Sequence, residues 1–512
     1  MRERCSGFVS ILVIMLLAFD CHAQDTVQQE SEQAPHEASE LGERIVETEH
    51  TVRIGGRTIG YTATAGTMVL RDEEGNRKAA IFFISYTKKN GGDAADRPIT
   101  FSFNGGPGSS SVWLHLGLLG PRRVALHEDG TAPPPPYRLV ENEYSLLDVT
   151  DLVFIDPVTT GFSRPAPGED PKQFHGVDED IKWVGEFIRL FLARNGRWAS
   201  PKFLIGESYG TTRAAGLSGH LQERHGIYLN GIMLVSSILN FQTTSFLIGN
   251  DLPCVLFLPT YTATAWYHGM LDTRFDGDLA AALTEAEEFA LGEYASVLLL
   301  GDRVQPDRYD RVVDRLAELT GLSREYIRQT KIRINIRRFT KELLRERRLT
   351  IGRLDSRFTG RDRDAVGERP EFDPSYAAIY GPYSAMLNDY VRRELGFESD
   401  IPYEILTGRV YPWNFGRYEN RFINVAETLR SAISQNPALM IYVANGYFDL
   451  ATPYLATRYT FDHLGLEGDL CGNVRMGYFE AGHMMYIHQP SLQKLGGELK
   501  DFIHEAARNG VE

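Results

Sequence analysis

The sequence predicts an α/β protein with a mostly parallel central sheet and an inserted helical cap. Three observations predict it. Continuous apolar runs of strand length alternate with helical stretches, as buried parallel strands do when helices cover both faces of a sheet. A long internal span loses strand signals and fills with helix formers. Finally, a strand-like run leads directly into Gly206-Glu207-Ser208-Tyr209-Gly210, a sharp strand-to-helix turn with an exposed hydroxyl at its tip.

In chain order, residues 1–23 read as a signal peptide: Arg2 and Arg4, then an apolar stretch from Phe8 to Phe19, then small residues near Ala23. That stretch is too short for a permanent membrane span. Cys21 offers a lipid-modified N-terminus as the alternative, although Phe19-Asp20 before it fits poorly. Residues 24–45, rich in Gln, Glu, Ser and Ala, read as a flexible leader. Residues 46–238 form the first part of the core. It opens with short alternating segments, Thr51–Ile54, Gly60–Ala63 and Thr67–Leu70, read as antiparallel strands. Buried strands follow at Ala80–Tyr86, Ile99–Phe103, Asp151–Ile155, Lys202–Ile205 and Gly231–Val235, with a helix over Asp178–Ala193 whose apolar residues recur at helical spacing. Residues 239–435 read as the helical cap. Lys331–Arg348, with eight Lys or Arg, reads there as a solvated helix pairing with nearby acids. Residues 436–512 complete the core, beginning with the strand Leu439–Val443.

Composition excludes some partners. A formal net charge of -14 over 512 residues opposes binding to nucleic acid or an anionic membrane. Four cysteines are present, two of them inside the first 23 residues; Cys254 and Cys471 would remain, either paired or as free thiols. No Cys/His cluster has metal-ligand spacing, so neither metal nor cofactor is expected.

Ser208 is the candidate nucleophile. A serine hydroxyl needs a base to take its proton, and an imidazole titrating near neutrality suits that task. Among 13 histidines, His483 follows a strand-like run and the small pair Ala481-Gly482, which lets the backbone turn and present the ring; His488 is the rival. The imidazolium formed during attack must be oriented by a buried carboxylate emerging from a strand end. Asp449, after Leu439–Val443 and the turn Asn445-Gly446, supplies it in the order Ser, Asp, His. Upstream, Asn104-Gly105-Gly106-Pro107-Gly108 closes a strand with two adjacent glycines whose N–H groups are open to a developing oxyanion. No Gly-Lys-Ser or Gly-Lys-Thr follows, which rules out a phosphate loop.

With these residues in view, the chain resembles the serine carboxypeptidase family, peptidase S10, of the α/β-hydrolase fold. The matching stretches are Asn104–Ser111, Asn142–Leu146, Asp156-Pro157-Val158 with Gly161-Phe162-Ser163, Gly206–Gly210, Asn445–Asp449, and Gly482-His483-Met484 with Gln489-Pro490, in family order over roughly residues 80 to 500. The resemblance implies a triad of Ser208, Asp449 and His483, an oxyanion held by the N–H groups of Gly106 and Tyr209, and a substrate α-carboxylate bound by Asn104 and Glu207. It implies peptide or protein C-termini as substrates, and a secreted or periplasmic location follows from the signal peptide and its cleavage. Glu207 can meet a substrate carboxylate only if one of the two groups is protonated, so peptide release should favour acidic pH. An esterase or acyltransferase on the same scaffold is the alternative. The chain departs from the family pattern at Ser109, where a cysteine is frequent, at Thr211 for a common glycine, at Tyr447 for a common acid, and at Met485-Tyr486 where Val-Pro is usual.

Overall fold

The structure is a computed structural model and describes residues 42–509; the segment read as a signal peptide lies outside the described residues. A ten-stranded sheet forms the centre. Its strands, in chain order, are β1 (Arg44–Ile54), β2 (Arg57–Arg71), β3 (Arg77–Lys88), β4 (Ile99–Phe103), β5 (Asp151–Ile155), β6 (Lys202–Ser208), β7 (Gly231–Ser237), β8 (Met440–Gly446) and β9 (Val474–Phe479). The spatial order is β1-β2-β3-β5-β4-β6-β7-β8-β9, and the short segment Arg164–Pro165 pairs beside β3. From β5 to β9 every pairing is parallel, whereas β1, β2, β3 and β5 pair antiparallel. The parallel half is what the continuous apolar runs foretold. Ala80–Tyr86, grouped with those runs in the sequence, sits instead in an antiparallel strand, because it too is covered on both faces.

Strand alternation sends neighbouring side chains to opposite faces. Phe203, Ile205, Met233 and Val235 bury one way, against Leu499 and Phe502 of the C-terminal helix Gln489–Arg508. Leu204, Ile232, Leu234, Ile441 and Val443 bury the other way, against α1 (Val177–Arg194) and α2 (Tyr209–His225). A third apolar cluster belongs to the insertion. There α3 (Leu252–Tyr267) and α4 (Pro306–Thr320) join through Phe257, Leu258, Val313 and Leu316, and Tyr261 stacks on Phe339 at 4.1 Å between ring centroids.

Several boundaries differ from the sequence reading. β1 begins at Arg44, so the last two leader residues are strand, paired with Gly66 and Thr67. Gly60–Ala63 and Thr67–Leu70 are one continuous strand, β2, because β1 pairs with it over Arg57–Thr67 and β3 over Tyr61–Arg71. The span 239–435 is not a single cap. Helix α5 (Pro374–Arg393) buries Ile379, Tyr383 and Leu387 in the first core layer, and α6 (Ala426–Gln435) buries Leu429 and Ile433 in the second. Loss of strand signal cannot separate a cap helix from one that covers the sheet. Lys331–Arg348 holds only a short helix, Ile336–Glu342, although its cations do pair with acids, as Arg333 with Asp251 and Lys341 with Asp362. Cys254 is a buried free thiol and Cys471 an exposed one, so no disulfide joins them. Among the described residues no helix is long and apolar enough to cross a membrane.

Candidate active site

All the singled-out side chains sit at the C-terminal ends of parallel strands, where open α/β sheets place their clefts. β6 ends at Ser208 and α2 starts at Tyr209, so the chain reverses within one residue. Ser208 takes φ 60° and ψ -129°, a conformation costing on the order of 1–3 kcal/mol for a non-glycine residue. The flanking glycines make it feasible: a Cβ on Gly206 would lie 2.2 Å from the Gly210 carbonyl oxygen, and one on Gly210 2.8 Å from that of Phe103. Thr211, a departure from the family pattern, fastens the elbow. Its hydroxyl donates to the Ser208 carbonyl (2.7 Å) and accepts from the Ile238 N–H (2.8 Å), tying the turn to the end of β7.

The structure brings His483 and Asp449 together. His483 Nδ1 lies 2.8 Å from Asp449 Oδ2, with both side chains buried. Asp449 also accepts from the N–H groups of Ala451 (2.8 Å) and Thr452 (3.0 Å) at Oδ1, and from the Thr452 hydroxyl at Oδ2 (2.7 Å). Four donors thus converge on this one buried carboxylate and fix its orientation. Burial pulls the His483 imidazole down, but Asp449 and Glu207 outweigh it, so its affinity for a proton is raised. The backbone of His483 is fixed too: its amide N–H donates to the Leu354 carbonyl (2.6 Å) and its carbonyl accepts from Ser236 Oγ (2.6 Å). His488, the rival base, bonds Ser491 Oγ at the start of the last helix (2.8 Å) and makes no hydrogen bond to a carboxylate among the described residues.

Ser208 and His483 both line a cleft of about 400 Å³, with Gly105, Gly106 and Glu207 on the same wall. Ser208 Oγ itself makes no hydrogen bond to any described residue, and long or unmade contacts of this kind are common in unliganded sites. The Tyr209 N–H belongs to the first turn of α2, where helix geometry provides no internal acceptor, and thus remains available to an oxyanion. Among the described residues no three His, Cys, Asp or Glu side chains gather as a metal would require.

Asn104 and Glu207 also converge. Asn104 Nδ2 donates to Glu207 Oε1 (3.0 Å), and the amide is oriented by the Leu114 N–H donating to its Oδ1 (3.1 Å). The Tyr486 hydroxyl donates to Glu207 Oε2 (2.5 Å). Glu207 is only 3% exposed. Burial pushes its carboxyl up to about 7, while His483, Tyr486 and Asn104 pull the other way. A carboxyl raised in this manner carries no penalty below its unfolded range near 4.5 and a full one above 7, so stability falls as pH rises through that window. Glu207→Gln removes the penalty. Its stability relative to the parent should therefore grow by about 3 kcal/mol between pH 4 and pH 8, measured by denaturant melts at both pH values.

Several contributors escaped sequence reasoning, Thr452 beside Asp449 among them. Tyr486 was visible only as a departure from a family pattern. The segment Arg353–Arg357, deep in the span read as cap, braces the histidine loop: besides Leu354, Asp355 Oδ2 accepts from the Gly482 N–H (3.1 Å) and pairs with Arg357 (2.7 Å). No motif links residues 353–357 to residue 483, and only folding brings them together.

A buried Asp–His pair beside a strained serine, at the strand ends of a mostly parallel sheet, defines the α/β-hydrolase class. Within it, the chain belongs to the serine carboxypeptidase family, whose model matches residues 60–489. The crystal structure of a prohormone-processing carboxypeptidase from Saccharomyces cerevisiae superposes with a TM-score of 0.54 at 18% identity, covering 87% of this chain and 91% of that one, and shows the shared fold. In sequence, the chain is 36% identical over 134 residues to the pheromone-processing carboxypeptidase KEX1 of S. cerevisiae (strain JAY291), covering 25% of this chain and 17% of that protein. It is 31% identical over 141 residues to serine-type carboxypeptidase F of Aspergillus niger, 27% of this chain and 23% of that one. It is 28% identical over 186 residues to serine carboxypeptidase-like 33 of Arabidopsis thaliana, 35% and 34% respectively. The chain thus aligns with about a third or less of each of these relatives.

Proposed function

We propose that this protein is an exported serine carboxypeptidase that releases C-terminal amino acids from peptides through an acyl-enzyme. Ser208 attacks the last peptide carbonyl as His483 Nε2 takes its proton, the N–H groups of Gly106 and Tyr209 receive the oxyanion, and the imidazolium, held by Asp449, protonates the departing amino group. Water activated by His483 then releases the shortened peptide. Export follows from residues 1–23, and the mature chain works in a periplasm or outside the cell.

The single observation that carries the reading is Glu207: a buried carboxyl, anchored by two donors, one residue from the nucleophile and facing the same cleft. A general esterase has no use for an acid there, whereas a neutral carboxyl at that place donates a hydrogen bond to a terminal carboxylate. Proton count then sets the pH response. Glu207 must hold a proton and His483 must not, so the productive form shares one proton between two sites and is depleted as pH rises through about 7.

The test uses one peptide with a free C-terminus, its amide-blocked twin and a simple ester. Sequential release from the free peptide, with kcat/KM falling above pH 7, is expected, together with poor cleavage of the twin. Ester turnover without peptide loss would reassign the site to an esterase or acyltransferase.

A further inference from the structure

We propose that Tyr486 is a positioning residue for the substrate's terminal carboxylate: its phenol pins Glu207 so that the free edge of the carboxyl faces the cleft. The assignment rests on the carboxypeptidase reading for its substrate but on geometry for its mechanism. Each carboxyl oxygen has two acceptor sites. Asn104 occupies one on Oε1 and Tyr486 one on Oε2, at 3.0 and 2.5 Å. One site on each oxygen remains, and the proton of the neutral acid resides there, directed away from both anchors. Without the Tyr486 anchor, Glu207 would be held at a single oxygen and could rotate about its last torsion.

The tyrosine is itself held in a made-to-fit slot. It sits in the turn Met485–Ile487 that follows the histidine loop, and its side chain is buried. A Cβ at Gly117 would lie 2.3 Å from Tyr486 Cε2 and 2.7 Å from the Tyr383 hydroxyl, so only glycine leaves room for both rings there. The Met485-Tyr486 departure and Gly117 therefore form one device, built from two distant segments around Glu207. The other ionisable groups that act on Glu207 are His483 and Asp449 from the two strand-end loops, and Tyr383 of α5 feels its charge; Arg353 lines the same cleft. None of them forms a hydrogen bond to the Glu207 carboxyl.

Tyr486→Phe keeps the ring in its slot and deletes the donor. A hydrogen bond to the ionised carboxylate favours ionisation, so its loss raises the protonation midpoint of Glu207. An infrared titration of the carboxyl C=O band, assigned with Glu207→Gln, should place the parent near 7 and the variant about one pH unit higher. An unchanged midpoint overturns the proposal. In turnover, KM for the free peptide at pH 5 should rise about tenfold with a smaller change in kcat, and the alkaline limb of its kcat/KM profile should move up. The loss should fall at least about fivefold more heavily on the free peptide than on its amide twin. Equal losses on the two substrates would make Tyr486 a packing residue and sink the idea. If the parent releases nothing from free peptides, the carboxypeptidase reading fails, and the infrared midpoint still decides the role of Tyr486.

Discussion

Ser208→Ala leaves a folded protein whose peptide turnover drops by at least about 10⁴-fold. Both halves of this result follow from the elbow. The hydroxyl donates to and accepts from no described residue, so its removal leaves no buried group unpaired and adds only a void of one oxygen. The strained backbone at φ 60° is set by Gly206, Gly210 and Thr211, none of which is altered. Stability should change by less than about 0.5 kcal/mol, as for substitutions that disturb no packing or hydrogen bond. Without the hydroxyl, no acyl-enzyme forms. What remains is the rate that oxyanion donors and binding give to direct attack by water. Steady-state assay and labelling by an organophosphonate report the chemistry, and thermal melts report the fold. A variant that keeps more than about a hundredth of parental turnover would show that another nucleophile carries the reaction.

The candidate triad positions were legible in the sequence because each lies at or just beyond a strand-like run, and because strand ends of a parallel sheet all open on one side. Lys202–Ile205, Leu439–Val443 and Arg475–Phe479 fall on β6, β8 and β9, and the three candidate residues lie at or a few residues beyond the ends of those strands. Chain order alone therefore placed them in one neighbourhood. Side-chain partners were another matter. Thr452 completes the shell of Asp449, Leu354 and Asp355 fix the histidine loop, and Tyr486 anchors Glu207, yet each is an ordinary residue type with no local signature. Tyr486 and Thr211 entered the reading only as departures from a pattern, and both form hydrogen bonds that orient the site. The extent of the cap was misread for a related reason. Leu387 and Leu429 cover the sheet, and Val313 and Leu316 fill the insertion, but all four show the same helical spacing in sequence. Amphipathic periodicity says that a helix buries a face and does not say against what.

Asp449→Asn should cost about 10⁴-fold in kcat while preserving the fold, and the direction of its amide is dictated by the surrounding donors. Oδ1 of Asp449 accepts two backbone N–H groups, from Ala451 and Thr452. An asparagine must keep its carbonyl oxygen there, since an NH₂ would confront both donors. The NH₂ therefore takes the place of Oδ2, 2.8 Å from His483 Nδ1. It donates to that nitrogen, which must then be unprotonated, so the neutral ring carries its proton on Nε2, the nitrogen left to act in the cleft that His483 and Ser208 both line. A ring in that tautomer cannot accept the serine proton. The Thr452 hydroxyl can turn to donate elsewhere, so little stability is lost locally. The pH profile separates this tautomer effect from simple loss of charge. If only charge mattered, the base would titrate lower and activity at its plateau would survive. With the tautomer inverted, activity should recover only at alkaline pH, where deprotonated imidazolate or hydroxide replaces the missing base. A plateau near parental kcat in Asp449→Asn would mean that Asp449 does not orient His483, and the proton-transfer line drawn through these three residues would have to be abandoned.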